Sequence, residues 1–162
     1  MAKSEETIKP DLNLLSTDNP VFCCYCFWTS ILIIKMLMMS LLTAMRRFKK
    51  KSFVNPEDLA LNKVSEPVLN DPDVERVRRA HLNDLENIVP YLLIALAYIA
   101  TGPKPLVARL LIRFVALSRI IHTLVYAFRP IPQPIRAIVF FLAFGITLFM
   151  AFYVLIKTIV YI

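Results

Sequence analysis

The chemistry-bearing residues of this chain concentrate in two short stretches. In VERVRRAHLNDLE, Arg76, Arg79, Asn83 and Glu86 fall at i, i+3, i+7 and i+10, which is one face of a helix. His81 and Asp84 lie on its flank, with Arg78 beside them. Further on, Arg119, His122 and Tyr126 share a second helical face at i, i+3 and i+7. Arg47 and Arg136 stand at the ends of apolar runs and complete an excess of guanidinium groups. Such an excess suits an anionic ligand, because a guanidinium holds a carboxylate through two parallel hydrogen bonds. A single glutamate among them, Glu86, suits an amine on the same ligand. The distribution fits a ligand with carboxylates and an amine, bound beside a lipid-soluble partner. Only two histidines exist, His81 and His122, without HExxH spacing and without a Ser/His/Asp arrangement. Any catalysis would therefore use a thiol brought by the ligand rather than a protein nucleophile.

The first stretch belongs to residues 71–102, whose ends are well marked. Asp71 before Pro72 is a helix start, since the carboxylate can cap and proline suits the first helical position. Gly102–Pro103 is a matching stop. From Ile88 to Ala100 the sequence is uncharged and nearly all apolar, but too short for the roughly 20 residues a spanning helix needs. A spanning helix must borrow turns from the charged half, which carries polar groups into the membrane or its rim. Leu82, Leu85, Val89 and Leu92 form an apolar stripe opposite the polar face, and Pro90 is expected to bend the helix. The plainer alternative is a solvated polar helix running into a short core helix. Three other apolar segments weigh against it.

Composition points the same way. The chain has 162 residues, one domain by length, and is 57% hydrophobic, above the roughly half expected of a soluble domain. Two glycines are too few for the tight turns of a β-barrel. The formal net charge of +7 brackets apolar runs instead of covering a polar surface, so membrane orientation explains it better than a nucleic-acid partner. Cys23, Cys24 and Cys26 cluster without CxxC spacing and without a nearby acid or histidine, which argues against a metal site. Lipid packing is the ordinary use for them, and acylation or redox chemistry the alternative.

Taken in order, residues 1–20 read as a polar tail without the features of a cleaved signal peptide, so the first span is expected to act as an uncleaved anchor. A first span covers 21–47 and carries one charge near mid-depth, Lys35. That lysine can snorkel to an interface or pair with an acid on another helix, for which Glu86 is the acid at comparable depth. The five basic residues of RRFKKK, 46–51, mark the cytoplasmic side, and Arg47 among them can serve topology alone. A polar connection follows, with Asn55–Pro56 as a turn and Glu57 and Asp58 in the first turn of a short helix. Further spans are expected over 72–101, 105–128 and 134–160, with a proline-rich loop between Arg129 and Arg136. The fold class is all-α integral membrane, an antiparallel four-helix transmembrane bundle over 21–162.

The segment VERVRRAHLNDLENIVPYL, the upstream VNPED and the downstream RIIHTLVYAF and PIPQPIRA together resemble the membrane-associated eicosanoid and glutathione metabolism family. The resemblance runs from about Ile31 to the C-terminus. It implies a homotrimer of four-helix subunits in the endoplasmic reticulum membrane, with the mitochondrial outer membrane as a second location. It also implies glutathione as co-substrate, bound between subunits near the cytoplasmic face. By motif position it implies Arg47, Arg78, Arg79, His81, Asn83, Glu86 and Tyr126 as glutathione contacts. Arg136, opening the last helix, is implied to stabilise the thiolate, with Tyr126 beside it in the catalytic set. The expected activity is a transferase acting on lipophilic electrophiles, with peroxidase activity on lipid hydroperoxides. The prostaglandin E synthase branch has arginine where this chain has Leu82 and serine where it has Ala137, so both positions favour the transferase branch; Asp58, in the shared NPED, decides nothing. A lipid-binding, non-enzymatic family member is the remaining alternative.

Overall fold

A computed structural model of the chain describes residues 14–128 and 131–162. Most of the expected N-terminal tail (residues 1–13) and Arg129 lie outside them. Each long helix begins at a residue that the sequence marks. Helix α1 (Pro20–Lys50) starts behind Asn19, whose side chain accepts from the Val21 amide at 2.9 Å. It ends in a left-handed Lys51, whose neighbour Ser52 donates its backbone amide to the Arg47 carbonyl at 3.0 Å. The short α2 (Pro56–Leu61) follows. Helix α3 (Pro72–Ala100) is capped as expected: the Asp71 carboxylate accepts from the amides of Asp73 and Val74 at 3.0 and 3.1 Å. Its stop at Gly102 has φ 64°, a conformation that costs glycine nothing. The helix continues through Pro90. Helix α4 (Pro105–Thr123) passes directly into a π-helical segment, Leu124–Phe128, and α5 (Ile135–Thr158) ends in a single 3₁₀ turn.

Four of these helical stretches are long and apolar enough to cross a membrane: Pro20–Lys50, Pro72–Ala100, Pro105–Phe128 and Ile135–Tyr161. They coincide with the four expected spans. Helix α1 packs on α3 and α4, and α5 closes the other side against the same two. The core between them is built from Leu32, Ile88, Tyr91, Ile112, Ala116 and Met150, all essentially inaccessible. Helix α5 fully buries only Ala143 and Met150, leans Ile146, Tyr153 and Val154 on the core, and leaves Ile138, Phe141, Leu142, Phe144, Leu148, Phe149, Phe152 and Leu155 exposed. That leaves an apolar jacket suited to hydrocarbon.

The buried face of α3 is not the stripe that the sequence offered. Leu82, Leu85 and Val89 are exposed, while Val77, Ala80, Asp84, Ile88, Tyr91 and Ala95 turn inward at 3- and 4-residue intervals. Choosing this stripe puts an acid, Asp84, into the core. The connection between α1 and α3 is tied down by Ser52 Oγ, which donates to the Val68 carbonyl at 2.9 Å, and by the Val68 amide on the Phe53 carbonyl at 3.1 Å. Replacing the α3 cap, Asp71→Ala, leaves two amides unpaired and is expected to cost about 1 kcal/mol, read as a lowered thermal unfolding midpoint in detergent micelles. An unchanged midpoint would show that Pro72 and the preceding turn start the helix without the carboxylate.

Candidate functional site

Asp84 is completely buried, and three helices meet at its carboxylate. Oδ1 accepts from Lys35 Nζ of α1 at 2.7 Å and from Arg119 Nη2 of α4 at 3.1 Å. Oδ2 accepts from the Thr123 hydroxyl at 3.2 Å. This corrects the expected partner of Lys35: it pairs with Asp84 and not with Glu86, because Asp84 lies on the inward face while Glu86 lies on the exposed one. The lysine also donates to the Arg119 carbonyl at 3.3 Å. Arg119, 1% exposed, spends the same Nη2 on the Asn83 side-chain oxygen at 2.7 Å and on the Asn83 carbonyl at 3.1 Å. Its Nε and Nη1 are buried without a partner among the described residues. Arg119 lines a small chamber of about 90 Å³ together with Glu86, Asn87, Pro90 and Thr147.

A larger cavity of about 480 Å³ opens on the other side of α3, between α1, α2 and the connection. Arg47, Arg78 and His81 line it, together with Asp58, Phe53 and Leu85. Arg47 forms no ion pair among the described residues, whereas Arg78 is taken up by Glu75 one turn earlier at 2.6 Å. That pair is largely exposed and weak, so it yields readily to a ligand carboxylate. Phe48 forms part of the wall and meets the buried Phe53 edge-on, with ring centroids 5.4 Å apart.

The third cavity, about 350 Å³, gathers His122, Tyr126, Gln133, Arg136 and Phe140. The π-helical turn beginning at Leu124 widens the spacing, and the rings of His122 and Tyr126 stack at 5.7 Å with an interplanar angle of 28°. Arg136 enters from the first turn of α5 and lays its guanidinium 5.2 Å from the Tyr126 ring centroid. Its Nε is buried with no hydrogen-bond partner, and it forms no salt bridge among the described residues. A cation held on an aromatic face, without a carboxylate, at the wall of a cavity is available to stabilise an anion there.

Within one chain the sequence-derived site residues therefore divide into three places. Arg47, Arg78 and His81 face the cavity beside α1, Glu86 lines the Arg119 chamber while Asn83 accepts from Arg119 itself, and Tyr126 and Arg136 share the cavity beside α5. Arg79 is exposed on α3 and lines none of the three. Sequence reasoning passed over Asp84 as the hub and Gln133 as a cavity wall. The signal for Asp84 was its place in the Val77–Ala80–Ile88–Tyr91 periodicity. Gln133 carried none. Cys24 and Cys26 pack against the core, and Cys23 Sγ is exposed, with the Thr17 carbonyl 2.8 Å away.

The MAPEG family matches residues 25–156. Microsomal glutathione S-transferase 1 of Homo sapiens is 46% identical over 139 residues, covering 83% of this chain and 89% of the relative. The protein of the same name from Bos taurus is 47% identical over the same length and the same shares. Prostaglandin E synthase of Macaca fascicularis is 36% identical over 129 residues, 80% of this chain and 84% of the relative.

The Asp84 cluster makes a stability prediction of its own. Asp84→Ala leaves Lys35 and Arg119 buried without a counter-charge, which is expected to cost about 3–5 kcal/mol and to lower the unfolding midpoint steeply. A midpoint near wild type would mean that water reaches both cations.

Proposed function

The chain belongs to the MAPEG family and has four helices long and apolar enough to cross a membrane, and we propose that it is a glutathione transferase that conjugates the glutathione thiolate to lipophilic electrophiles. The observation that carries this reading is the guanidinium of Arg136, which forms no salt bridge among the described residues and lies over Tyr126 at the wall of a cavity. A free thiol titrates near 8.5, so at neutral pH most of it is protonated and unreactive. A fixed cation beside the sulfur favours the thiolate. The Tyr126 ring holds the guanidinium, and its hydroxyl supplies a second donor towards the sulfur. Arg47, Arg78, Arg79, His81, Asn83 and Glu86 hold the tripeptide by its carboxylates and its amine. The thiolate then attacks the electrophilic carbon, a carbon–sulfur bond forms, and the leaving group departs with its electron pair. The same thiolate supports reduction of lipid hydroperoxides, two glutathiones becoming the disulfide as the peroxide becomes an alcohol and water.

In one chain the cavity of Arg47 and Arg78 lies beside α1 and that of Arg136 beside α5, which supports assembly in a homotrimer where one subunit's α1 side faces the next subunit's α5 side. In this reading the subunits are antiparallel four-helix bundles with glutathione between them. The basic RRFKKK end faces the cytoplasm, and the residence is the endoplasmic reticulum membrane, with the mitochondrial outer membrane as a second site. The exposed apolar sides of α1 and α5 suit electrophiles arriving laterally from lipid. Higher identity to the transferase relatives than to the synthase relative supports conjugation over isomerisation.

Ultraviolet absorbance of the purified protein, titrated with glutathione near neutral pH, tests the reading, because thiolate absorbs where thiol does not. A saturable signal is expected, and Arg136→Ala is expected to abolish it and to lower turnover about a hundredfold. Arg79→Ala is expected to raise the glutathione concentration required about tenfold while sparing assembly. A folded protein that shows no thiolate signal would move the reading to a lipid-binding, non-catalytic member.

A further inference from the structure

Asn83 is half-exposed, and Arg119 fixes which way its amide points. A guanidinium has donors only, so the amide atom turned to it at 2.7 Å is the oxygen, and the Nδ2 hydrogens point away. None of the described residues accepts them. A free pair of N–H donors on the polar face of α3 suits a carboxylate and disfavours an amine. The orientation lasts only while Arg119 stays shared between Asn83 and Asp84.

Lys35 maintains that sharing. Its ammonium takes the nearer place on Asp84 Oδ1, at 2.7 Å against 3.1 Å for Arg119. Without it, the buried Asp84 would keep only Arg119 and Thr123 as donors. The guanidinium has two further donors, Nε and Nη1, that are buried and unspent. It would close on both carboxylate oxygens in the two-bonded geometry that arginine prefers, and release the Asn83 oxygen. We infer that Lys35 is a positioning residue for ligand binding: by occupying Asp84 it keeps Arg119 on Asn83, and so keeps the Asn83 amide turned donor-outward to a glutathione carboxylate. The inference rests on the reading that Asn83 contacts glutathione.

The test is a double-mutant cycle on the full chain in nanodiscs, with glutathione itself as the probe. Affinity is read from the thiolate absorbance titration, and turnover at saturating glutathione is measured alongside. Lys35→Met is expected to weaken glutathione binding about tenfold, as loss of one oriented hydrogen bond to a charged group would. Turnover at saturation should hold within about twofold. The unfolding midpoint should hold or rise, because the change removes a buried charge and leaves a neutral Arg119–Asp84 pair. Lys35→Arg, which keeps the cation, should restore most of the affinity. In an Asn83→Ala background, Lys35→Met should weaken binding no further. Additive losses in the double variant, or wild-type affinity in Lys35→Met beside a clear loss in Asn83→Ala, would overturn the role of Lys35 and leave Asn83 in place. Wild-type affinity in Asn83→Ala would remove Asn83 from the site, and the relay with it.

Discussion

A carboxylate with no access to solvent sets the terms for the rest of this molecule. Removing Asp84 from water costs several kcal/mol unless its charge is met, and it is met by two cations and a hydroxyl from helices α1 and α4. The balance is local in space and remote in sequence: Lys35 and Thr123 lie 49 residues before and 39 after. Apolar packing in a bilayer specifies register poorly, since one leucine ridge resembles the next and lipid competes for every contact. A three-helix ionic junction is different. Sliding α1 by one turn along α3 would strand a buried ammonium, so the junction fixes the depth and rotation of both partners at once.

From that fixed frame α3 acts as a partition. One side carries histidine and arginine towards the cavity roofed by α2. The other presents Asn83 and Glu86 beside the buried guanidinium of Arg119, next to the cavity where Arg136 lies on Tyr126. A polar ligand and an apolar one can thus be met by surfaces of different character within one small subunit. The tied-down segment around Ser52 and Phe53 keeps Asp58 and the short helix over the first cavity. The weak Arg78–Glu75 pair keeps one arginine neutralised at little cost in availability.

Much of this was legible in the residues. Asp71–Pro72 and Gly102 gave the ends of α3, and hydropathy gave all four spans, because capping and burial are local demands written in local sequence. The face of α3 that turns inward was not, since the leucine stripe of Leu82, Leu85 and Val89 is free of charge and the inward one carries an acid. What decided between them was the charge on Asp84, which can be buried only where Lys35 and Arg119 converge, and convergence is a property of three helices. For the same reason the sequence named an acid for Lys35 but chose Glu86, judging by depth without rotation. Tyr126 and Arg136 were legible as types, while the stacking that joins them depends on a change of helical pitch that no residue at 124–128 announces.

That change of pitch has a consequence for how the chain tolerates alteration in length. The π-helical turn accommodates one residue more than an α-helical turn would, and helices elsewhere often absorb or shed such a residue at modest cost. Here the surplus residue sits between the Arg119 junction and the arm that delivers Arg136. Deleting one residue there would let the turn relax to ordinary pitch while the elements on either side keep their places, so the shift falls on the turn itself, Tyr126 included. The bundle would lose little packing, yet the tyrosine and the arginine would no longer meet. The segment is thus a place where length, and not residue type, is under constraint: substitutions along the lipid side of 124–128 are cheap, and a single-codon deletion is not.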